Sequence, residues 1–324
     1  MCRALAYLGK EALLDDFLYQ PDSSLVRQSH DPQQLHLLNL GGFGMMAWHP
    51  QTPNPEEPLS FHSTDLPIFD RNLKSLALKV RAMSVLAHIR GIAYRPSPGY
   101  GSHNLHPFRY PGFKIALAHN GDLAGFEQMK LDLLPYMKRS IAAQIGGTTD
   151  SEWVYALLMS QLVDPTRYAD RETLARALKD TLCILREVRA RHGIAQSSSL
   201  NLFLSDGRMI AGLRFTFDFG CYATEDWRRI HEANLRFLSM WFTVGSRYGL
   251  AGGEWKMIEE SSGPDSALLS SEPLTRDISS WIEVPEYTAL IIERGAMPES
   301  KRGAPGEPGN EAHRIGVSVL PMHA

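Results

Sequence analysis

The sequence contains little cysteine and no long apolar run. Its 324 residues include 3 cysteines, at positions 2, 183 and 221, which are too few and too scattered for a disulfide framework or a zinc knuckle. No stretch approaches the roughly 18 apolar residues that span a bilayer, and the first residues lack the regions of a signal peptide. These absences predict a protein with no membrane partner, located in the cytoplasm.

The sequence also lacks an excess of positive charge. Its formal net charge is -3, so the composition argues against nucleic acid as a partner. With 44% hydrophobic and 21% charged residues, the chain is typical of globular proteins and long enough to bury a core without disulfides. No linker divides it clearly, which favours one large domain over two.

Hydrophobic periodicity predicts a mixture of helices and antiparallel strands rather than repeated βαβ units. Helices are expected over 73–80 and 171–191, and strands over 3–8, 84–90, 114–119 and 288–292. Two further strands, 200–205 and 208–213, flank Asp206-Gly207, a preferred pair for a two-residue hairpin turn. The four prolines of residues 50–58 predict a surface loop.

Cys2 is the first candidate for chemistry. Removal of Met1 would leave one residue with both a thiol and a free α-amino group, whose pKa is ordinarily about 7.7–8.0. Such a residue carries its own general base beside its nucleophile. On position alone, an incidental cysteine is the favoured interpretation.

Three other positions bear on this choice. Arg90 ends a predicted strand and is suited to bidentate capture of a carboxylate, although a solvated strand end is a simpler role. Asn120-Gly121 offers two donors for an oxyanion hole, or an ordinary turn. Asp150 is predicted in the first helical turn, within a capping box of Thr149 and Glu152, where it stabilises the helix or binds an ammonium group. Together with Cys2, these groups would recognise a γ-glutamyl group and attack its amide.

Several motifs resemble those of class II glutamine amidotransferases, which are N-terminal-nucleophile hydrolases. The motifs occur in the family's order: Met1-Cys2-Arg3, Gly42-Phe43-Gly44, Ala87-His88-Ile89-Arg90, Asn104-Leu105-His106-Pro107-Phe108, Ala118-His119-Asn120-Gly121, Thr149-Asp150-Ser151-Glu152, Leu204-Ser205-Asp206-Gly207 and Ser271-Glu272-Pro273-Leu274-Thr275. The stand-alone branch of the family, with γ-glutamyl hydrolases of ergothioneine synthesis and glutathione breakdown, is the most similar. The resemblance covers most of residues 2–293.

The resemblance implies an α+β fold, a four-layer αββα sandwich with the nucleophile on its first strand. It implies that Cys2 attacks the γ-amide, that Asn120 and the Gly121 N–H hold the oxyanion, and that Arg90 and Asp150 bind the substrate's α-carboxylate and α-ammonium. Water then releases glutamate from a Cys2 thioester. His106 is assigned to shaping the substrate-binding loop.

The resemblance implies no cofactor, and the His103-x-x-His106 spacing is interpreted as coincidence rather than a metal site. Gly42 departs from relatives, which often carry an acidic or larger residue there. Residues 2–293 are predicted to form the amidotransferase domain, with an insertion over 215–265 that contains Trp227, Trp241 and Trp255. Residues 294–324 are predicted to be a mobile C-terminal tail.

The partner is predicted to be a small γ-glutamyl molecule, and the long Gly- and Pro-rich loop 95–112 is expected to contribute to its specificity. Two alternatives stay open: a glutaminase subunit that supplies ammonia to a separate acceptor enzyme, and an inactive homologue that binds glutamate or glutamine. A homodimer also stays open, and the amine attached to the γ-glutamyl group is not predicted.

Overall fold

The computed structural model describes residues 2–34, 38–91, 101–222, 225–228, 240–260, 263–295 and 314–322. Its strands are β1 (Arg3–Leu13), β2 (Phe43–Trp48), β3 (Leu59–Ser63), β4 (Arg81–Ile89), β5 (Ala116–Asp122), β6 (Ser198–Ser205), β7 (Met209–Arg214), β8 (Thr216–Phe217), β9 (Trp241–Gly245), β10 (Arg247–Ala251), β11 (Glu254–Ile258), β12 (Ser266–Ser270), β13 (Ile282–Glu283), β14 (Thr288–Arg294) and β15 (Ile315–Pro321). Its α-helices are α1 (Asp15–Leu18), α2 (Arg71–Ala77), α3 (Phe126–Met129), α4 (Arg139–Ala142), α5 (Asp150–Gln161) and α6 (Arg171–Arg191).

Two antiparallel sheets form the centre of the described structure. The first has the strand order β13-β9-β12-β1-β4-β2-β3, and the second has the order β15-β14-β7-β6-β5. Strand β1 therefore lies inside the first sheet, between β12 and β4. It contacts β5 and β6 of the second sheet across the space between the sheets.

The alternation of side chains along each strand sorts the core into three layers. Ala4, Ala6 and Leu8 of β1 pack between the sheets with Ala116 and Ala118 of β5. The other side chains of β1 pack on the outer face against α1 and α2. Helices α5 and α6 cover the outer face of the second sheet. These layers are the predicted αββα sandwich, and structures with a similar fold, described below, confirm that fold class.

Most of the predicted elements are confirmed, including α2, α6, β4 and β14. The hairpin is confirmed too, but its turn lies one residue later than predicted. The backbone N–H of Asp206 donates to the carbonyl of Met209, so Gly207-Arg208 forms the two-residue turn. The Asp206 carboxylate accepts hydrogen bonds from the backbone N–H groups of Arg208 and Met209, which fixes this geometry.

Two C-terminal regions differ from the expectations of the sequence. Residues Ile315–Pro321, assigned to the tail, form β15, which pairs with β14 along the edge of the second sheet. Within the predicted insertion, β9 pairs with β12 and so belongs to the first sheet. The β10–β11 hairpin packs on α1, with Tyr248 stacked on Phe17 at 5.4 Å between ring centroids. Both segments carry apolar side chains that complete a sheet or a core.

Some predictions cannot be compared with the structure throughout. Residues 95–100 of the predicted loop lie outside the described residues, as do residues 223–224, 229–239 and 261–262 of the predicted insertion and residues 296–313 and 323–324 of the predicted tail. Of the insertion's three tryptophans, Trp227 is exposed, and Trp241 and Trp255 are half-buried. Among the described residues, no helix combines the length and apolarity that crossing a membrane requires.

The packing between the sheets gives a direct prediction for stability. Phe203 is fully buried there, whereas Phe69 is 75% exposed on a loop. We expect Phe203→Ala to lower the free energy of unfolding by about 3–5 kcal/mol, because the truncation leaves a cavity. Phe69→Ala, the matched control, should change it by less than about 0.5 kcal/mol. Urea unfolding measures both values, and equal losses would contradict the assigned core.

Candidate active site

Cys2 lies at the edge of the space between the two sheets. It immediately precedes β1, whose register pairs Arg3 with Ile89 of β4. Because Ala4 and Ala6 face the second sheet, alternation places Cys2 on that same face. The backbone N–H of Gly91 donates to the Cys2 Sγ at 3.4 Å. The thiol is free and half-buried, so a reagent of small size can reach it.

Arg90 follows β4 directly and lies next to Cys2. Its backbone N–H donates to the carbonyl of Gly42 at 2.9 Å, and its Nη1 donates to the carbonyl of Asn104 at 2.6 Å. Burial lowers the pKa of Arg90, while the nearby charges of Cys2 and Asp150 act in the opposite direction. The guanidinium is therefore held in place by the loop at Asn104, near both Cys2 and the Asp150 carboxylate.

Gly42 is required by the local backbone. Its φ is +104°, a conformation that side chains disfavour. A Cβ atom at this position would lie 2.7 Å from the Ser63 carbonyl oxygen and 2.9 Å from Leu105. Any larger residue would push β3 or the loop at Leu105 away from Arg90.

Asn120 and Gly121 do not form the turn that their sequence also allowed. Both residues lie within β5 and pair with Asn201 and Leu200 of β6. The Asn120 side chain is fully buried, and neither of its amide atoms has a hydrogen-bond partner in the described part of the chain. A Cβ atom on Gly121 would overlap the Ser199 carbonyl oxygen, so β6 requires glycine there. Pairing with β6 thus overrides the turn preference.

Asp150 is the first residue of α5, and its carboxylate joins this helix to the end of β5. Its Oδ2 accepts a hydrogen bond from the backbone N–H of Leu123 at 2.8 Å. Its Oδ1 accepts from the N–H and hydroxyl groups of Ser151. A negative charge at a helix N-terminus is favourable, which explains its place in the fold. Its position near Arg90 also puts opposite charges at one end of the sandwich.

The predicted capping box at this helix is wrong. Thr149 occupies the N-cap position, but its side chain makes no capping hydrogen bond. Glu152 instead accepts hydrogen bonds from the backbone N–H groups of Gly146 and Gly147, at 3.0 Å and 2.5 Å. The loop before the helix folds over its first turn and brings these two amides within reach of the carboxylate.

His106 lies in a buried histidine pair rather than in the open. Its Nδ1 is 2.9 Å from Nε2 of His88, and the backbone N–H of His119 also donates to it. Burial lowers the pKa of His88 to about 3 and the pKa of His106 well below its usual value, so both rings are neutral. His106 thereby links its loop to β4 and β5. No cluster of metal-binding side chains occurs within the described ranges.

The sequence pattern assigns no individual role to two buried residues near the site, Asn104 and Asn201. The Asn104 side chain accepts from the backbone N–H of Thr148 and donates to its hydroxyl, which fastens the Arg90-binding loop to the segment before α5. Asn201 is fully buried opposite Asn120, and its Oδ1 has no partner among the described residues. Asn201 interrupts an apolar strand, and that interruption was the available signal.

Comparisons with known proteins show which proteins this chain resembles. Residues 64–216 match the family of class II glutamine amidotransferases. The chain is 27% identical over 313 residues to the probable glutamine amidotransferase DUG3 of Saccharomyces cerevisiae, covering 91% of this chain and 82% of the yeast protein. It is 38% identical over 234 residues to an uncharacterized protein of Methanocaldococcus jannaschii, covering 69% of this chain and 54% of the archaeal protein.

Two solved structures share the fold. A glutamine aminotransferase class-II domain protein from Silicibacter pomeroyi superposes with a TM-score of 0.56 and 19% identity, covering 90% of this chain and 95% of that chain. The glutamine phosphoribosylpyrophosphate amidotransferase of B. subtilis superposes with a TM-score of 0.54 and 15% identity, covering 99% of this chain and 49% of that chain. At these identities the likeness concerns the fold alone.

The hydrogen bonds at the start of α5 predict unequal effects of two substitutions. Glu152→Ala removes the acceptor of two backbone N–H groups, so we expect the free energy of unfolding to fall by about 2–4 kcal/mol. Thr149→Ala removes a hydroxyl without a partner and should change it by less than about 0.5 kcal/mol. Denaturant unfolding of both variants checks this, and similar losses would favour a capping box after all.

Proposed function

Because residues 64–216 match the class II glutamine amidotransferases, we propose that the chain belongs to this family and hydrolyses the γ-glutamyl amide bond of glutamine or of a γ-glutamyl conjugate. The observation that carries the proposal is the convergence of three groups at one end of the sandwich. Cys2 lies beside Arg90, and the facing strand carries the buried Asn120 amide, which has no hydrogen-bond partner among the described residues. An amide without a partner is expensive to bury unless a ligand uses it.

The chemistry follows from the roles proposed for Cys2, Asn120 and Gly121. After Met1 is removed, the α-amino group of Cys2 takes the thiol proton, and the sulfur attacks the γ-carbonyl carbon. The Asn120 amide and the Gly121 N–H stabilise the resulting oxyanion. The C–N bond then breaks, and the leaving ammonia or amine takes the proton from the α-ammonium group. Water cleaves the remaining thioester and releases glutamate.

Substrate orientation is assigned to the two opposite charges. Arg90 keeps a planar guanidinium that can pair with the α-carboxylate, while its bond to Asn104 fixes the angle of approach. Asp150 is proposed to bind the α-ammonium group. Because His88 and His106 are neutral, they do not compete with Arg90 for the carboxylate.

The central test is release of glutamate from glutamine and from a panel of γ-glutamyl conjugates. We expect Cys2→Ala to lower the rate at least about 1,000-fold, because the variant lacks the sulfur proposed to form the thioester. Cys183→Ala, at an exposed cysteine, is the matched control and should leave the rate unchanged. Full activity in Cys2→Ala would contradict the proposal. Activity that needs an added protein would favour the ammonia-supplying alternative, and binding without turnover would favour the inactive homologue.

A second prediction separates the oxyanion role of Asn120 from a structural one. Since neither amide atom is bonded in the described structure, Asn120→Ala should cost little stability. It should lower kcat by about 100- to 1,000-fold with little change in KM, because the oxyanion exists only in the transition state. Steady-state kinetics and thermal unfolding of the same sample decide this. A lower melting temperature with an unchanged kcat would assign Asn120 to packing.

A further inference from the structure

Arg3 and Glu272 have no role in the chemistry described so far, although both belong to motifs beside the site. Arg3 is the first residue of β1, and its side chain is 2% exposed. Its Nη1 donates to the carbonyl of Cys2 at 3.1 Å. The side chain therefore fixes the peptide group of the residue proposed as nucleophile.

Glu272 supplies the counter-charge from the segment after β12. Its Oε2 lies 3.4 Å from the Arg3 Nε, and its side chain is also 2% exposed. Its Oε1 accepts a hydrogen bond from the backbone N–H of Gln33. The neighbouring Ser271 bonds twice to Ala4: the Ala4 N–H donates to its hydroxyl at 3.0 Å, and its N–H donates to the Ala4 carbonyl at 2.9 Å.

Stability alone does not explain such a pair. Taking two charges out of water is costly, and apolar replacements of similar volume are often neutral or stabilising. The pair is nevertheless fully enclosed at the end of β1, directly behind Cys2. Burial lowers the pKa of Arg3, and the charges of Glu272 and Cys2 act against that shift. Arg3 thus interacts with both groups.

Two arginines act on Cys2, and each is accompanied by a carboxylate. Arg3, at the start of β1, pairs with Glu272 after β12, and Arg90, at the end of β4, interacts with Asp150 at the start of α5. His88, on β4, is neutral. Removing one charge from either pair therefore leaves the other charge of that pair uncompensated.

We propose that the Arg3–Glu272 ion pair is a positioning device that holds the Cys2 main chain and balances the charge beside its reacting groups. The proposal rests on the proposed function of Cys2, but its consequence can be measured without turnover. Loss of the Arg3 cation disfavours the thiolate, which raises the pH at which Cys2 reacts. Loss of the Glu272 anion has the opposite effect. Packing alone would not give opposite signs.

The experiment measures the alkylation rate of Cys2 by iodoacetamide as a function of pH, with peptide mass spectrometry as the readout. Arg3→Gln should move the midpoint upward by about 0.5–1 pH unit, and Glu272→Gln should move it downward by a smaller amount, since its charge is farther away. The double variant, Arg3→Gln with Glu272→Gln, should have a midpoint between those of the two single variants. The exposed Cys183 and Cys221 provide internal references that should not move.

A matched control comes from another buried arginine. Arg214 lies on β7 of the second sheet and is 3% exposed. It pairs with Glu283 of β13, which is three strands from β1 in the first sheet. Arg214→Gln should lower stability without moving the Cys2 midpoint. Shifts of the same sign in the two single variants, or no shift in either, would overturn the proposal. Should Arg3→Gln not fold, Glu272→Gln decides alone: a downward shift supports the proposal, and an upward or absent shift overturns it.

The outcomes also separate this inference from the proposed function. Opposite shifts in a chain that releases no glutamate would support the charge balance and contradict the hydrolase. Glutamate release by the unmodified chain, with unmoved midpoints in the variants, would support the hydrolase and reject the role of the pair.

Discussion

The close packing of β1 against β5 is the constraint on which the site depends. Facing strands of two packed sheets approach each other most closely where the side chains between them are small. Ala4 and Ala6 of β1 and Ala116 and Ala118 of β5 meet this condition. Each strand then extends past the alanines and presents a polar residue to the same space. The proposed nucleophile, Cys2, and the proposed oxyanion donor, Asn120, therefore lie directly beyond the apolar core between the sheets.

The remaining parts of the site are fixed by hydrogen bonds rather than by apolar contacts. The loop at Asn104 holds the Arg90 guanidinium with its carbonyl and the segment before α5 with its side chain. Asp150 ties α5 to the end of β5. Each bond joins segments that lie far apart in the sequence. A substrate would therefore meet preorganised groups, the condition under which electrostatic stabilisation of a transition state is strongest.

The sequence predicted elements best where the pattern was local. Helix α6 and strand β4 carry periodic apolar residues that decide their form without distant partners. Two expectations from short-range preferences, the capping box and the alternative of a turn at Asn120-Gly121, are not met because other segments supply the hydrogen-bond partners. Pairing with β6 extends β5 through Asn120-Gly121, and a folded loop takes Glu152 from the capping box. Asn201 interrupts an apolar strand, but this pattern does not show which residue it faces, and Glu272 reaches Arg3 from the segment after β12.

The proposed function depends on Cys2 acting as an N-terminal nucleophile in a pocket that binds a glutamyl group. Intact mass of the purified protein, before and after treatment with the glutamine analogue 6-diazo-5-oxo-norleucine, tests this most directly. We expect the protein to lack Met1 and to gain one adduct of the analogue, located on Cys2. Retention of Met1, or trimmed protein that gains no adduct on Cys2, would contradict it.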